Sequence, residues 1–91
     1  MSEIALKIRV TGRVQGVAYR AWTKARAEAL GLTGRVMNDQ SGAVLAHLQG
    51  APKDVDQMVS DMWTGPGAAV VRDVQHQPTE PENISGFEIR R

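Results

Sequence analysis

Nine residues, Gly12-Arg13-Val14-Gln15-Gly16-Val17-Ala18-Tyr19-Arg20, separate an alternating apolar run from a helical one, and no other stretch narrows the possible folds as much. Before it, Ile4, Leu6, Ile8 and Val10 alternate with Ala5, Lys7 and Arg9, the period of a half-buried strand. After it, Tyr19 to Leu30 is rich in Ala, Lys, Arg and Glu, all strong helix formers. A loop with two glycines at such a junction leaves backbone N–H groups clustered and unclaimed. The helix N-terminus adds partial positive charge at the same point. Together they make an anion cradle. Arg20, at the helix start, can add a planar bidentate fork that suits phosphate.

Composition bounds the rest. A chain of 91 residues is expected to form one domain, residues 1–91, with a core built mainly from Val, Leu, Ile and Met. Eleven basic residues stand against ten acidic ones, a net charge of +1, so any anion site must be local and a polybasic nucleic-acid binder is not expected. The absence of cysteine excludes disulfides, a thiolate nucleophile and cysteine-ligated metal. No apolar run approaches the ~20 residues of a membrane span. The opening Met1-Ser2-Glu3-Ile4 is acidic and leads straight into the first strand pattern, unlike a signal peptide. A cytoplasmic, monomeric domain without a membrane partner is the expectation.

The remaining pattern reads as a strand over Leu32–Asn38, turn chemistry in Asp39-Gln40-Ser41-Gly42, and a strand over Ala43–Gln49. Gly31 ends the first helix. Trp22, Ala25 and Ala29, in line with Ala18, are its expected buried face. Pro52 opens a second helix, in which Val55, Met58, Val59, Met62 and Trp63 follow one buried stripe. Trp22 and Trp63 are expected to pack the helices onto the sheet. Gly65-Pro66-Gly67 stops the second helix. A strand over Ala68–Gln75, a polar loop over Thr79–Ser85 and a short strand with Phe87 and Ile89 on one face complete the chain. The order is the split βαβ, ferredoxin-like plan: α+β, βαββαβ plus a short terminal strand, with two helices on one face of an antiparallel sheet. In that plan the loop after Thr11 and the strand end at Asn38 lie at the same end of the sheet.

Gly12-Arg13-Val14-Gln15-Gly16-Val17-Ala18-Tyr19-Arg20, with Gly34-Arg35-Val36-Met37-Asn38 and Ser41-Gly42-Ala43-Val44 downstream, resembles the acylphosphatase family. Trp63-Thr64-Gly65-Pro66-Gly67-Ala68 and Gly86-Phe87-Glu88-Ile89-Arg90 resemble it too, so the likeness extends over nearly the whole chain. The resemblance implies hydrolysis of acyl phosphates, the mixed anhydrides of a carboxylic and a phosphoric acid. Carboxylate and inorganic phosphate are the products, and phosphate is also an expected inhibitor. It implies that Arg20 binds the phosphate, that Asn38 holds the attacking water, and that the backbone of Gln15, Gly16, Val17, Ala18 and Tyr19 forms the cradle. No metal and no organic cofactor are implied. Tyr19 stands where Phe is common in the family, Ser41 where Asp often precedes the turn glycine, Leu45 where an acidic residue is frequent, and Ala51 between Gly50 and Pro52.

The chemistry suits those residues. A carboxylate is a good leaving group, so the catalyst must chiefly hold the phosphoryl group, neutralise its charge and aim one water in line. An asparagine amide can accept from water and donate at once. It has no useful basicity, so a phosphate oxygen is the candidate acceptor for the water's proton. Arg13 reads as a solvated loop charge, Tyr19 as a packing residue, and His47 and His76 as surface residues. Asp54, Asp56 and Asp61 read as the solvated face of the second helix. The alternative is a non-catalytic phosphate- or ligand-binding domain of the same fold. An RNA-binding sheet face is disfavoured, because the central strands Ile4–Val10 and Ala43–Gln49 carry no aromatic on which a base could stack.

Overall fold

The structure is a computed structural model and describes residues 3–91. Met1 and Ser2, part of the acidic opening, lie outside the described residues. Seven elements follow in chain order: β1 (Ile4–Arg13), α1 (Tyr19–Ala29), β2 (Thr33–Asn38), β3 (Val44–Gly50), α2 (Pro52–Met62), β4 (Val70–Thr79) and β5 (Phe87–Arg90). The strands form one sheet in the order β4-β1-β3-β2-β5. β1 pairs antiparallel with both β3 and β4, and β2 pairs antiparallel with β3. β5 joins β2 in parallel, so the sheet is antiparallel across four strands and mixed at one edge. This is the ferredoxin-like arrangement that the element order predicts.

Alternation along β1 separates two faces. Leu6, Ile8 and Val10 are buried beneath the helices, together with Val36, Val44, Ala46, Leu48, Val74 and Phe87. Lys7 and Arg9 point to the other face. From α2, Val55, Met58 and Met62 enter the core as the periodicity predicts, with Val59 partly buried beside them. Trp63, the last member of that stripe, is 49% exposed and does not pack α2 onto the sheet.

The buried face of α1 differs from the expected one. Tyr19, Thr23 and Ala27 are buried, Trp22 only partly, and Ala25 and Ala29 are exposed. The reason is a specific anchor. Tyr19 Oη donates to the Met62 carbonyl oxygen at 2.6 Å. Its ring lies against Gly65, where any Cβ would strike it. That contact fixes the rotation of the helix about its axis. At its other end α1 closes with Gly31 at φ 72°. The Leu32 amide reaches back to the Ala27 carbonyl (2.9 Å) and the Gly31 amide to that of Glu28 (3.0 Å), the paired bonds of a Schellman motif.

β4 runs to Thr79, four residues past its expected end, and includes Pro78. Pro78 is tolerated because β4 is the edge strand, where a missing donor need not disrupt a ladder. The segment from 80 to 86 then links β4 at one edge of the sheet to β5 at the other. Gln49 holds it: Oε1 accepts from the Glu82 amide and Nε2 donates to the Glu82 carbonyl, both at 2.8 Å. The same cover makes His47 a buried residue, 4% exposed, rather than the surface residue expected from its outward register. Among the described residues no helix is long and apolar enough to cross a membrane.

Candidate active site

The loop after β1 owes its shape to two residues in the left-handed region, Gly16 at φ 76° and Ala18 at φ 63°. Gly16 adopts it without penalty, whereas a left-handed non-glycine residue costs roughly 1–2 kcal/mol. Ala18 stands at the N-cap of α1 and has no side-chain oxygen with which to cap the first turn. The first helical bond runs from the Trp22 amide to the Ala18 carbonyl. The amides of Tyr19, Arg20 and Ala21 therefore precede any intrahelical acceptor. Those of Gly16, Val17 and Ala18 find no acceptor among the described residues. Backbone N–H groups without an acceptor therefore cluster at the N-terminus of α1.

A cleft of about 210 Å³ opens at this point, lined by Val14, Gly16, Ala18, Tyr19, Arg20 and Ala21 from the loop and helix, Asn38 from the end of β2, and Ile89 from β5. Arg20 and Asn38, 18 positions apart in sequence, thus face one space. Of the residues predicted for the site, Gly16, Ala18, Tyr19, Arg20 and Asn38 line it. Val17 does not: it packs against the core. Gln15 does not line it either, and its side chain has a different place.

Gln15 Nε2 donates to the carbonyls of Asp39 and Ala43, 2.9 Å each, and so ties the cradle loop to both sides of the turn that follows Asn38. Asp39 closes that turn from within. Its Oδ1 accepts from the Ser41 amide (2.8 Å), the Ser41 hydroxyl (2.6 Å) and the Ala43 amide (3.0 Å). The Ser41 hydroxyl bond is the largest influence holding the Asp39 carboxyl below its usual range. Asn38 is held at a fixed distance from the cradle by these bonds. Its Oδ1 is buried and has no hydrogen-bond partner among the described residues. Arg20 is steadied from the other side, where Nη1 donates to the Arg90 carbonyl at 3.1 Å. The Tyr19 phenol is committed to Met62, and burial pushes its ionisation well above the ordinary phenol range, so it is a packing residue as expected.

Two features are invisible in the motif itself. Ile89, expected on one strand face with Phe87, is 41% exposed and forms a wall of the cleft. Arg90 contributes a backbone acceptor and not a charge to Arg20. Both follow from the parallel pairing of β5 with β2, which sets Val36 opposite Ile89 and Met37 opposite Arg90. The short sequence of β5 gives no signal of that pairing.

The family model for acylphosphatase matches residues 6–89, a span that includes the loop before α1, Asn38 and β5 up to Ile89. The chain belongs to the acylphosphatase family. An acylphosphatase of Rhizobium meliloti (strain 1021) is 43% identical over 88 residues, covering 96% of this chain and 93% of its own. That of Trichormus variabilis (strain ATCC 29413 / PCC 7937) is 48% identical over 88 residues, covering 97% and 87%. The structure of an acylphosphatase from Coxiella burnetii superposes with a TM-score of 0.94 at 33% identity, covering 97% of this chain and 93% of that one. This chain is an acylphosphatase enzyme, a hydrolase of acyl phosphates, and the non-catalytic alternative is not favoured by these relatives.

Proposed function

We propose that the cleft at the start of α1 performs the hydrolysis with Arg20 and Asn38 as its catalytic residues. The phosphoryl group of a small-molecule acyl phosphate sits in the cradle. The amides of residues 16–20 donate to its oxygens, and the Arg20 guanidinium neutralises its charge. Gln15 and Val17 serve the cradle through their backbone, and Gln15 also through its bridge to the turn. Asn38 Oδ1 accepts a hydrogen bond from water and holds the water oxygen in line with the scissile P–O bond. A new O–P bond forms as the P–O bond to the acyl group breaks. The bonding pair leaves with the carboxylate, and the water's proton passes to a phosphoryl oxygen. Carboxylate and inorganic phosphate result.

The observation that carries this reading is that Asn38, whose buried Oδ1 has no partner among the described residues, lines the same cleft as Arg20. A buried acceptor without a partner costs roughly 1–3 kcal/mol, and a water-positioning role explains why one is kept. The test is turnover of benzoyl phosphate. Arg20→Ala should lose at least ~10²–10³ in rate, the effect of removing one preorganised donor from a developing charge. Arg20→Lys should also be poor, because a point charge cannot copy the planar fork. The reading fails if Arg20→Ala, correctly folded, retains near wild-type turnover. The chain is proposed to act as one domain, residues 1–91, and as a monomer, without metal or organic cofactor. A strong chelator should therefore leave turnover unchanged.

A further inference from the structure

The sheet face turned away from the helices carries a second concavity, of about 360 Å³, at a distance from the catalytic chemistry. Strand register defines it as two rows of side chains. One row crosses the sheet as Gln77, Lys7, His47 and Arg35, and the next as Gln75, Arg9, Leu45 and Met37. Neighbouring strands lie ~4.8 Å apart, so each row spans roughly 14 Å. The first row is cationic at two of its four places. The second offers an apolar floor, Leu45 and Met37, both only partly buried although no helix covers them. The segment from 80 to 86, pinned by Gln49, reaches the first row through Glu82, which bonds Arg35.

The charges of this face are unevenly answered. Arg35 makes a two-pronged bond to Glu82, at 2.7 and 3.0 Å, and His47 Nδ1 lies 3.7 Å from the same carboxylate. Lys7 and Arg9 form no ion pair with a carboxylate among the described residues. Arg9 is instead held by the Ser41 hydroxyl at 3.0 Å, and Ser41 in turn is held by Asp39. No Asp or Glu lines the concavity. Two cations without an ion pair therefore sit two residues apart on one strand, beside an apolar strip two side chains wide. At ~300–1,000 Å³, pockets with a mostly apolar lining and a few fixed polar groups are ligand sites, and this one is near the small end of that range.

We infer that the open sheet face binds a small carboxylate with a short apolar body. Its anionic head lies on Lys7 and Arg9, and its body covers Leu45 and Met37. Charge selects the head: the groups here without an ion pair are cations, and no acid lines the concavity to attract a cationic ligand. Phosphate itself has no use for the apolar floor. The site is independent of the catalytic assignment, because none of its residues lines the cleft of Arg20 and Asn38.

The experiment is a heteronuclear NMR titration of the full chain with hexanoate, with acetate, hexylamine and inorganic phosphate as comparisons. Hexanoate should give saturable shifts of the Met37 and Leu45 methyl groups. Acetate, which lacks the body, and hexylamine, which lacks the anion, should bind this face at least about tenfold more weakly, a difference of ~1.4 kcal/mol. Phosphate should move the amides of Gly16 to Arg20 instead. Lys7→Glu should weaken hexanoate about tenfold while leaving benzoyl phosphate turnover unchanged, and Lys7→Gln serves the same purpose if the reversal of charge disturbs the fold. Shifts confined to the cradle and Asn38, or hexanoate affinity unchanged in both Lys7 variants, would overturn the inference.

Discussion

A buried carboxamide oxygen without a partner forgoes about 1–3 kcal/mol of stability, and Asn38, which lines the cleft, has its Oδ1 in that state. Removing it should therefore separate activity from stability. Asn38→Ala is expected to lower kcat on benzoyl phosphate by ~10²–10³ while leaving the urea midpoint unchanged or slightly raised. A parallel fall in both quantities would assign Asn38 to structure and not to water positioning. Gln15 makes the opposite kind of contribution. It touches two backbone carbonyls across the turn, 2.9 Å from each, and carries no charge to the phosphate. Gln15→Ala should let the Asn38 side of the cleft drift from the cradle, and misplacement by ~1 Å can cost 10² in rate. We expect kcat to fall by roughly 10–10² with little change in the affinity for inorganic phosphate, because the cradle amides and Arg20 remain. A variant that loses phosphate affinity and keeps kcat would show that the side chain shapes the cradle alone.

At the scale of elements, the segment from 80 to 86 and the β2–β3 turn are both held through carboxylates. Arg35 keeps the Glu82 carboxyl below its usual range, chiefly by its hydrogen bonds, and Ser41 does the same for Asp39. The unfolded chain takes up these protons first as the pH falls. Stability present above the ordinary carboxylate range, ~3.9–4.3, is therefore lost as the pH drops through the lower folded values. Urea midpoints measured against pH should decline in acid, and Glu82→Gln should flatten part of that decline. An identical slope in the variant would mean that the Arg35 pair contributes nothing to it. Gly34 shows how tightly β2 and β3 approach: at φ 146°, a Cβ there would strike the His47 carbonyl, so Gly34→Ala should destabilise by on the order of 3 kcal/mol or more in denaturant unfolding. Element type and order were legible in the sequence, because the period-2 pattern of β1 and the 3.6-residue stripe of α2 are local signals. The rotation of α1 was not. Trp22-Ala25-Ala29 and Tyr19-Thr23-Ala27 fit a helix about equally well, and the choice rests on Gly65 and the Met62 carbonyl, some 40 residues away. The burial of His47 was hidden for the same reason: its cover arrives from Glu82. That Arg20 and Asn38 line one cleft was readable because the fold brings two recognisable motifs to one end of the sheet. The Ile89 wall was not, since it depends on which edge the last strand joins.

On the scale of the whole molecule, the cradle, the turn and β5 meet only in the folded chain, so a ligand of the cleft must stabilise the fold by linkage. The loop from 14 to 18 carries costs of its own: Ala18 is left-handed, the cap of α1 has no side-chain bond, and the amides of residues 16–18 have no acceptor among the described residues. On the proposed reading, inorganic phosphate supplies the missing acceptors for this region. At a free concentration 100 times its dissociation constant it should add about 2.7 kcal/mol. For a domain of this size each kcal/mol raises Tm by about 4–8 °C, so the expected rise is roughly 10–20 °C. Arg20→Ala should lose most of that rise, since the guanidinium is the one full charge proposed to face the phosphate. Lys7→Glu, on the other face of the sheet, should keep all of it. Chloride at matched ionic strength separates specific binding from salt screening, because screening would move wild type and Arg20→Ala alike. A phosphate-dependent rise of equal size in both proteins would place the anion somewhere other than the cleft, and with it the proposed seat of the reaction.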